Sequence, residues 1–289
     1  MKLTIVTVSP EERAQGVLSP PANVAAVTAL HEEGAVILRG VFPADAIDAL
    51  YSEFSARYGG LDLAAMETQA SSPPPNPVLK VGDGRFELAI RMSGAFGKPD
   101  LFANGIVRNF LGQLLGGHLM RLGSMTAVAS FPGAAMQHIH RDHQQLFQEF
   151  ANIGVNLPLY AVNVSMPLID IDQATGPTGI WPGSHRWATN DPPREGMVSV
   201  PFQRGDCVLM DYRTLHAGLP NNSHKVRPIL YLVYTREWFF DDNNHRYRIP
   251  LDMPLADIEA LSEDLRLLML RARQQALRLK QLGGLPAPA

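Results

Sequence analysis

The strongest constraint on this chain is a succession of short strand-like segments between residues 124 and 235: "SMTAVASF", "MQHIHRD", "LYAVNVSMPLIDI", "TGIWP", "MVSVPF", "DCVLMDY" and "RPILYLVYT". Pro and Gly turns separate them, and no stretch of helical spacing intervenes. Strands that follow one another without crossover helices form sheets that bury one face against a second layer. The pattern therefore predicts a mainly β fold, a sandwich or barrel, with this region as its core.

The flanks read differently. Val24, Val27 and Leu30 recur at helical spacing and stop at Gly34, and "AVILRGV" (35–41) reads as a strand. Pro43 opens a helix with Ile47, Leu50, Tyr51, Phe54 and Tyr58 on one face, ended by Gly59-Gly60. "SSPPPNP" (71–77) reads as an exposed loop, since proline can continue neither a helix nor a central strand. "GRFELAIRM" (84–92) reads as a strand burying Phe86, Leu88, Ile90 and Met92, and "IVRNFLGQLLGGHLM" (106–120) as a helix weakening at Gly116-Gly117. Between Pro254 and Gly283, Ile258, Leu261, Leu265, Leu268, Ala272, Ala276 and Leu279 follow a three-four spacing, expected to pack a helix on the barrel. With no internal repeat, the chain is expected to form a single domain over residues 1–289. Its parts are a helix/strand segment (1–121), a β core (122–240) and a helical tail (241–289).

Composition narrows the function classes. With 46% hydrophobic and 18% charged residues, the 289-residue chain can build a sizeable core. A net charge of −3 without any Lys/Arg run argues against nucleic acid as a partner. No apolar stretch is long enough to span a bilayer, and "MKLTIVTVSPEER" has too short an apolar run for a signal peptide. A cytoplasmic location is the expectation. The single cysteine, Cys207, excludes a disulfide framework and a cysteine-based zinc site, and is expected to be a small buried hydrophobe.

"HIHRDH", His138 to His143, raises the question of a metal. On a strand, His138, His140 and Asp142 share one face and Ile139, Arg141 and His143 the other. On a helix, His138 would pair with Asp142 and His140 with His143; Pro132-Gly133 and the β-rich neighbourhood favour the strand. Two ligands rarely hold an ion tightly. The candidates for a third are His185, His216, His224 and His245. His216 follows the apolar "CVLM" near a strand end, where a ligand projects from a rigid scaffold. Two imidazoles and one carboxylate on one side of a cation leave positions open, the facial arrangement of non-haem Fe(II) oxygenases. Such chemistry needs electrons, which a keto acid can supply. Its far carboxylate needs a cationic clamp, and Arg227, at the start of "RPILYLVYT", is placed for one.

The ordered set His140-x-Asp142, "TGPTGIWPGSHR" (175–186), His216 and Arg227 resembles the phytanoyl-CoA dioxygenase (PhyH-like) family of Fe(II)/2-oxoglutarate-dependent oxygenases. "EEGAVILRGVFPADAIDAL" (32–50) resembles that family's N-terminal segment, so the likeness runs from about residue 25 to 240. The resemblance implies a double-stranded β-helix (a cupin-like jelly roll) with iron on His140, Asp142 and His216. It also implies 2-oxoglutarate as co-substrate, held through its far carboxylate by Arg227. Gln137 and Thr178 match positions that hydrogen-bond 2-oxoglutarate in relatives modifying natural products. The implied reaction consumes O2, releases succinate and CO2, and hydroxylates or otherwise oxidises a C–H bond of a small molecule. Asp142 argues against halogenation, because halogenating relatives carry a small residue there.

Several readings stay open at this level. Desaturation, ring closure and epoxidation use the same residues as hydroxylation. A non-catalytic jelly roll that binds a metal or small ligand is the competing class. Residues 60–105 and 186–197 are expected to shape the pocket. They show no phosphate cradle or basic cluster, so a natural-product or amino-acid-like substrate, as in a biosynthetic enzyme, is expected over an acyl-CoA. His138 is read as a pocket neighbour, His143 as exposed, and His185 as a turn residue. Arg85 and Arg91 are read as a solvated strand face, and "EWFF" (237–240) as core packing. A monomer or homodimer is expected.

Overall fold

The alternation in "RPILYLVYT" becomes a central strand of one large sheet, and that in "GRFELAIRM" a strand one place in from its edge. The computed structural model describes residues 2–58, 61–72, 77–189, 195–245 and 250–281. Gly59-Gly60, most of "SSPPPNP" and the middle of the 186–197 loop lie outside the described residues, as does the side chain of His245. The strands are β1 (Ile5–Thr7), β2 (Ala35–Arg39), β3 (Val78–Gly82), β4 (Arg85–Ala89), β5 (Met120–Ser130), β6 (Ala161–Pro167), β7 (Thr178–Ile180), β8 (Val198–Ser199), β9 (Cys207–Asp211), β10 (His216–Gly218) and β11 (Arg227–Arg236). Eight form a sheet ordered β1-β2-β9-β6-β11-β5-β4-β3, and three form a smaller one ordered β10-β7-β8. Pairing is antiparallel throughout except between β1 and β2. The architecture is the expected jelly roll, mainly β with flanking helices. The large sheet takes strands from both sides of residue 122.

Because successive side chains alternate, each strand of the large sheet serves two environments. Its outer face buries Phe86, Leu88, Ala127, Val164, Leu209 and Leu230 against helices Pro20–Glu32, Ala44–Arg57 and Gly105–Leu115, forming the main core. Its inner face meets the small sheet through Ile37, Val208, Met210, Ile229 and Ile180. Towards β4, β5 and β11 the inner face turns polar, and this turns the barrel interior into a site.

Two expectations need correction. The C-terminal stripe is not one helix: it is broken into Leu255–Glu259, Glu263–Leu268 and Leu270–Gln281, with Ser262 in extended backbone. Ile258, Leu268 and Ala272 still reach the main core. "MQHIHRD" is not a regular strand either. The segment from Ala134 onward pairs with β10 and the residues that follow it, at Ala134–Asn221, Gln137–Gly218 and His140–His216. Between the first and last of these pairings it carries one residue more than its partner, so the register slips and only an isolated bridge, His140 to His216, survives. Among the described residues no helix is long and apolar enough to cross a membrane.

Candidate metal centre and anion pocket

The slip in register leaves the ligand-bearing segment lying beside β10, with the bridge setting His140 and His216 side by side. Their rings are 4.4 Å apart between centroids, and His216 Nε2 is 3.4 Å from Asp142 Oδ1. One ligand atom from each of His140, Asp142 and His216 lies within 4.8 Å of the others, the one such group of three among the described residues. His185 is elsewhere: it is 3% exposed, and its Nε2 is 3.0 Å from the His31 carbonyl, which ties the "PGSH" turn to the N-terminal helix. His224 lines a separate cavity of about 800 Å³ with Arg39, Asp172 and Lys225.

Each member of the triad is already oriented. A carbonyl can only accept, so His140 Nδ1 donates to the His138 carbonyl at 2.8 Å, and His216 Nδ1 donates to the Thr214 carbonyl at 3.0 Å. In the neutral rings that leaves Nε2 as the lone pair, the tautomer a metal requires. Asp142 Oδ2 accepts from Asn163 Nδ2 at 2.9 Å, which leaves Oδ1 directed at the histidines. The Asn163 amide must present its NH2 group to an ionised carboxylate, so its orientation follows from chemistry.

Electrostatics fit the geometry. Burial, aided by the neighbouring His216, lowers the pKa of His140 to about 4, so that ring is neutral. Burial opposes charge on both His216 and Asp142, yet their attraction outweighs it: the His216 pKa is raised and that of Asp142 lowered. The imidazole shares a proton's charge with the carboxylate until a cation takes its place. The donor set, two neutral nitrogens and one carboxylate oxygen with the other side uncovered by protein ligands, fits Fe(II).

The second half of the pocket is cationic. Arg227 is 1% exposed and donates through Nη1 to the Gly176 carbonyl, while its Nε has no partner. Gly176 can only be glycine: its φ is +77°, and an added Cβ would stand 2.2 Å from the Pro220 carbonyl oxygen. Arg85, read from sequence as a solvated face, is likewise 1% exposed. It donates through Nη2 to the carbonyls of Ala135 at 2.9 Å and Leu219 at 3.1 Å, and its Nη1 is unpartnered. Ser130, whose buried hydroxyl also lacks a partner, pairs with both arginines in the sheet register. Neither arginine has a carboxylate partner among the described residues, and buried charges of this kind normally require one. Gln137 and Thr178 meet here through Gly218: Gln137 Oε1 accepts its N–H at 2.9 Å, and Thr178 is its register partner. Tyr231 stands between the two halves; burial raises its pKa, and the charges of Arg227, Asp142 and Arg85 all reach it.

Sequence reasoning missed Arg85, Asn163 and Arg141. Arg85 and Glu87 alternate with an apolar face, a pattern that looks the same whether the polar face meets water or a barrel interior. Asn163 and Ser165 interrupt the apolar "AVNVSM", a signal that β6 has a polar inner face. Arg141, between the ligands, is 8% exposed and donates to the carbonyls of Ser184 (2.8 Å), Trp187 (3.0 Å) and Thr189 (2.9 Å), and to that of Arg213. His143 is 3.3 Å from Asn243 through Nε2, and Arg91 is an exposed residue 3.4 Å from Asp252. In "EWFF" only Phe239 is buried; Trp238 and Phe240 are exposed.

With this geometry in hand, comparison with known proteins decides the family. The profile of the phytanoyl-CoA dioxygenase (PhyH) family matches residues 30–229. The chain belongs to that family. Among proteins similar to this PhyH-family chain, the dioxygenase aneA of Aspergillus aculeatus is 36% identical over 106 residues, 35% of this chain and 35% of its own length. The multifunctional dioxygenase ausE of Emericella nidulans is 26% identical over 206 residues, 66% of this chain and 65% of its own length. The match thus spans between about a third and two thirds of these relatives. Among solved structures, the non-heme alpha ketoglutarate dependent epimerase SnoN from nogalamycin biosynthesis superposes with a TM-score of 0.53 at 20% identity, covering 75% of this chain and 84% of that one. HygX from Streptomyces hygroscopicus, with nickel, 2-oxoglutarate and hygromycin B bound, gives 0.56 at 14% identity, covering 81% and 97%. At these identities the likeness establishes the shared jelly-roll fold.

Proposed function

We propose that this PhyH-family chain is a non-haem Fe(II)/2-oxoglutarate-dependent dioxygenase that oxidises a C–H bond of a natural-product-like small molecule. One observation carries the reading. Two buried arginines without carboxylate partners stand in the same barrel as a triad of two histidines and one aspartate. A dicarboxylic keto acid satisfies both halves, one end towards the metal and the other towards the guanidinium groups.

His140, Asp142 and His216 would hold the ion. When bound, Fe(II) supplies the activation of O2 that couples decarboxylation of 2-oxoglutarate to succinate with substrate oxidation. The protein's own residues prepare for this. The carbonyls of His138 and Thr214 hold the imidazoles in the ligating tautomer, and Asn163 fixes the carboxylate. Arg227 and Arg85 present donors for the far carboxylate, and Gln137, whose oxygen is committed to Gly218, keeps its NH2 group for the same ligand. The relatives and neighbours named above support a natural-product-like substrate. Strands from both sides of residue 122 building one sheet support a single oxygenase domain.

The test is succinate formation with Fe(II), 2-oxoglutarate and O2 across a panel of small-molecule substrates. Substrate-dependent succinate that disappears in Asp142→Ala is expected; succinate formation untouched by that substitution overturns the assignment.

A further inference from the structure

The last pairing between the loop and the small sheet is the isolated bridge at His140, so the backbone at Asp142 must be held by contacts from outside that sheet. Part of the answer lies beyond residue 229, where the family match ends. The side-chain NH2 group of Asn244 donates to the backbone carbonyl of Asp142 at 2.6 Å and to Asp241 Oδ2 at 2.7 Å, one hydrogen to each. The Asn244 backbone N–H donates to Asp241 Oδ1 at 3.0 Å. Asp241 is 5% exposed, and its Oδ2 also accepts the Tyr212 hydroxyl at 2.8 Å. Tyr212 directly follows β9 and donates its backbone N–H to the Ala161 carbonyl at 3.1 Å, so it belongs to the rigid sheet. An unbroken series of hydrogen bonds therefore runs from the sheet through Tyr212, Asp241 and Asn244 to the metal-binding loop.

The neighbouring contacts hold the same segment down. Asn243 Nδ2 is 3.3 Å from His143 Nε2. Phe239 packs against the His143 ring at 5.3 Å and the Tyr160 ring at 4.6 Å. Asn244 itself is exposed, so its side chain contributes little apolar burial; what it does is hold a carbonyl.

We propose that Tyr212, Asp241 and Asn244 form a latch that positions Asp142 for metal binding, making the segment after the barrel part of the metal centre. The inference rests on the reading of His140, Asp142 and His216 as metal ligands. Outer partners of metal ligands set ligand orientation, and their loss typically costs about 10–100-fold in metal affinity.

The experiment titrates the full-length, metal-free protein with Co(II) under anaerobic conditions, following calorimetry and the visible d–d absorption. Asn244→Ala is expected to weaken Co(II) binding about tenfold and change the d–d spectrum, with the melting temperature of the metal-free protein unaltered. Tyr212→Phe should weaken binding less. Adding it to Asn244→Ala should produce no further loss, because links in one series are not additive. Wild-type affinity and spectrum in Asn244→Ala overturn the latch. A control separates this from the underlying reading: wild-type protein that binds Co(II), and Asp142→Ala protein that does not, sustain the metal centre whether or not the latch survives. A wild-type protein that fails to bind Co(II) removes both.

Discussion

Arg85 and Arg227 stand on either side of Ser130 in one register row of the large sheet, each buried to 1% exposure and each with an unpartnered guanidinium nitrogen. Burial, reinforced by the neighbouring Arg227, lowers the pKa of Arg85 to about 10, and burial lowers that of Arg227. Two desolvated cations side by side are unfavourable unless an anion joins them. On the function proposed above, this pair is the pocket that takes the far carboxylate of 2-oxoglutarate.

Removing either cation should weaken 2-oxoglutarate far more than it weakens metal. Each charge-assisted bond contributes about 1.5–3 kcal/mol, which is roughly 10–100-fold in affinity. Arg85→Met and Arg227→Met are each expected to lose that much 2-oxoglutarate affinity in anaerobic calorimetry of Mn(II)-loaded protein, with Mn(II) binding kept within a few-fold. Wild-type 2-oxoglutarate affinity in Arg85→Met would show that Arg85 serves the fold alone.

Gly218 allows Arg85 to lie where it does. A Cβ at this position would be 2.5 Å from Gln137 Oε1 and 2.7 Å from Arg85 Nη1, both ends of movable side chains. Gly218→Ala should therefore displace the guanidinium, with a cost to stability near the low end of the ~1–3 kcal/mol typical of overpacking. The expected signature is weaker 2-oxoglutarate binding with a small drop in melting temperature. Gly112→Ala, in a helix where nothing lies within 4 Å of the added Cβ, is the control and should stabilise the protein by about 0.4–1 kcal/mol. Equal 2-oxoglutarate affinity in the two variants would remove the role assigned to Gly218.

Much of this site could be read before the fold was known. His140, Asp142, His216 and Arg227 were legible because their chemistry is unusual enough to stand out in a β-rich sequence. The alternation of "RPILYLVYT" also placed Arg227 at a strand start. Arg85 was not legible, because strand alternation gives two faces without saying which meets water. Here both faces of β4 are covered, one by helices and one by the barrel interior. The C-terminal stripe kept its buried residues but not its continuity, since Ile258 and Leu268 reach the core from separate short helices. The slip beside β10 depends on pairing between residues far apart in sequence, which local periodicity does not carry.

Metal affinity should rise with pH, and His216 should set the midpoint. The folded-state pKa of His216 is raised, first opposed by burial and then carried upward by Asp142. Its proton stabilises the metal-free fold fully below about pH 6.5, and that contribution is lost as pH rises through the higher folded value. Metal competes with the same proton, so Co(II) affinity should climb over that window, with release of close to one proton. His140, at about 4, is already neutral there and should not contribute. Its depressed pKa instead destabilises the metal-free fold as pH falls from about 6.5 towards 4, because the unfolded chain takes up the proton first. Affinity measured by calorimetry between pH 5.5 and 8.5 checks this; a midpoint below the ordinary histidine value would contradict the assignment to His216.

Arg141 separates the two loop ligands in sequence and joins their surroundings in space. Its guanidinium serves the carbonyls of Ser184 within the "PGSH" turn, of Trp187 and Thr189 just after it, and of Arg213, next to the Thr214 carbonyl that orients His216. Burial lowers its pKa to about 10, so it remains charged at neutral pH. A lysine keeps the charge but has one compact head in place of a planar fork, and cannot reach four acceptors spread over two segments. Arg141→Lys should therefore leave buried carbonyls unpaired, costing about 2–3 kcal/mol of stability in urea denaturation of the metal-free protein. Because the same contacts align His140 and Asp142 with His216, Co(II) binding should weaken as well. A variant that unfolds at the wild-type urea midpoint and binds Co(II) with wild-type affinity would show that the bridge and His216 ladder pairing position the ligands without Arg141.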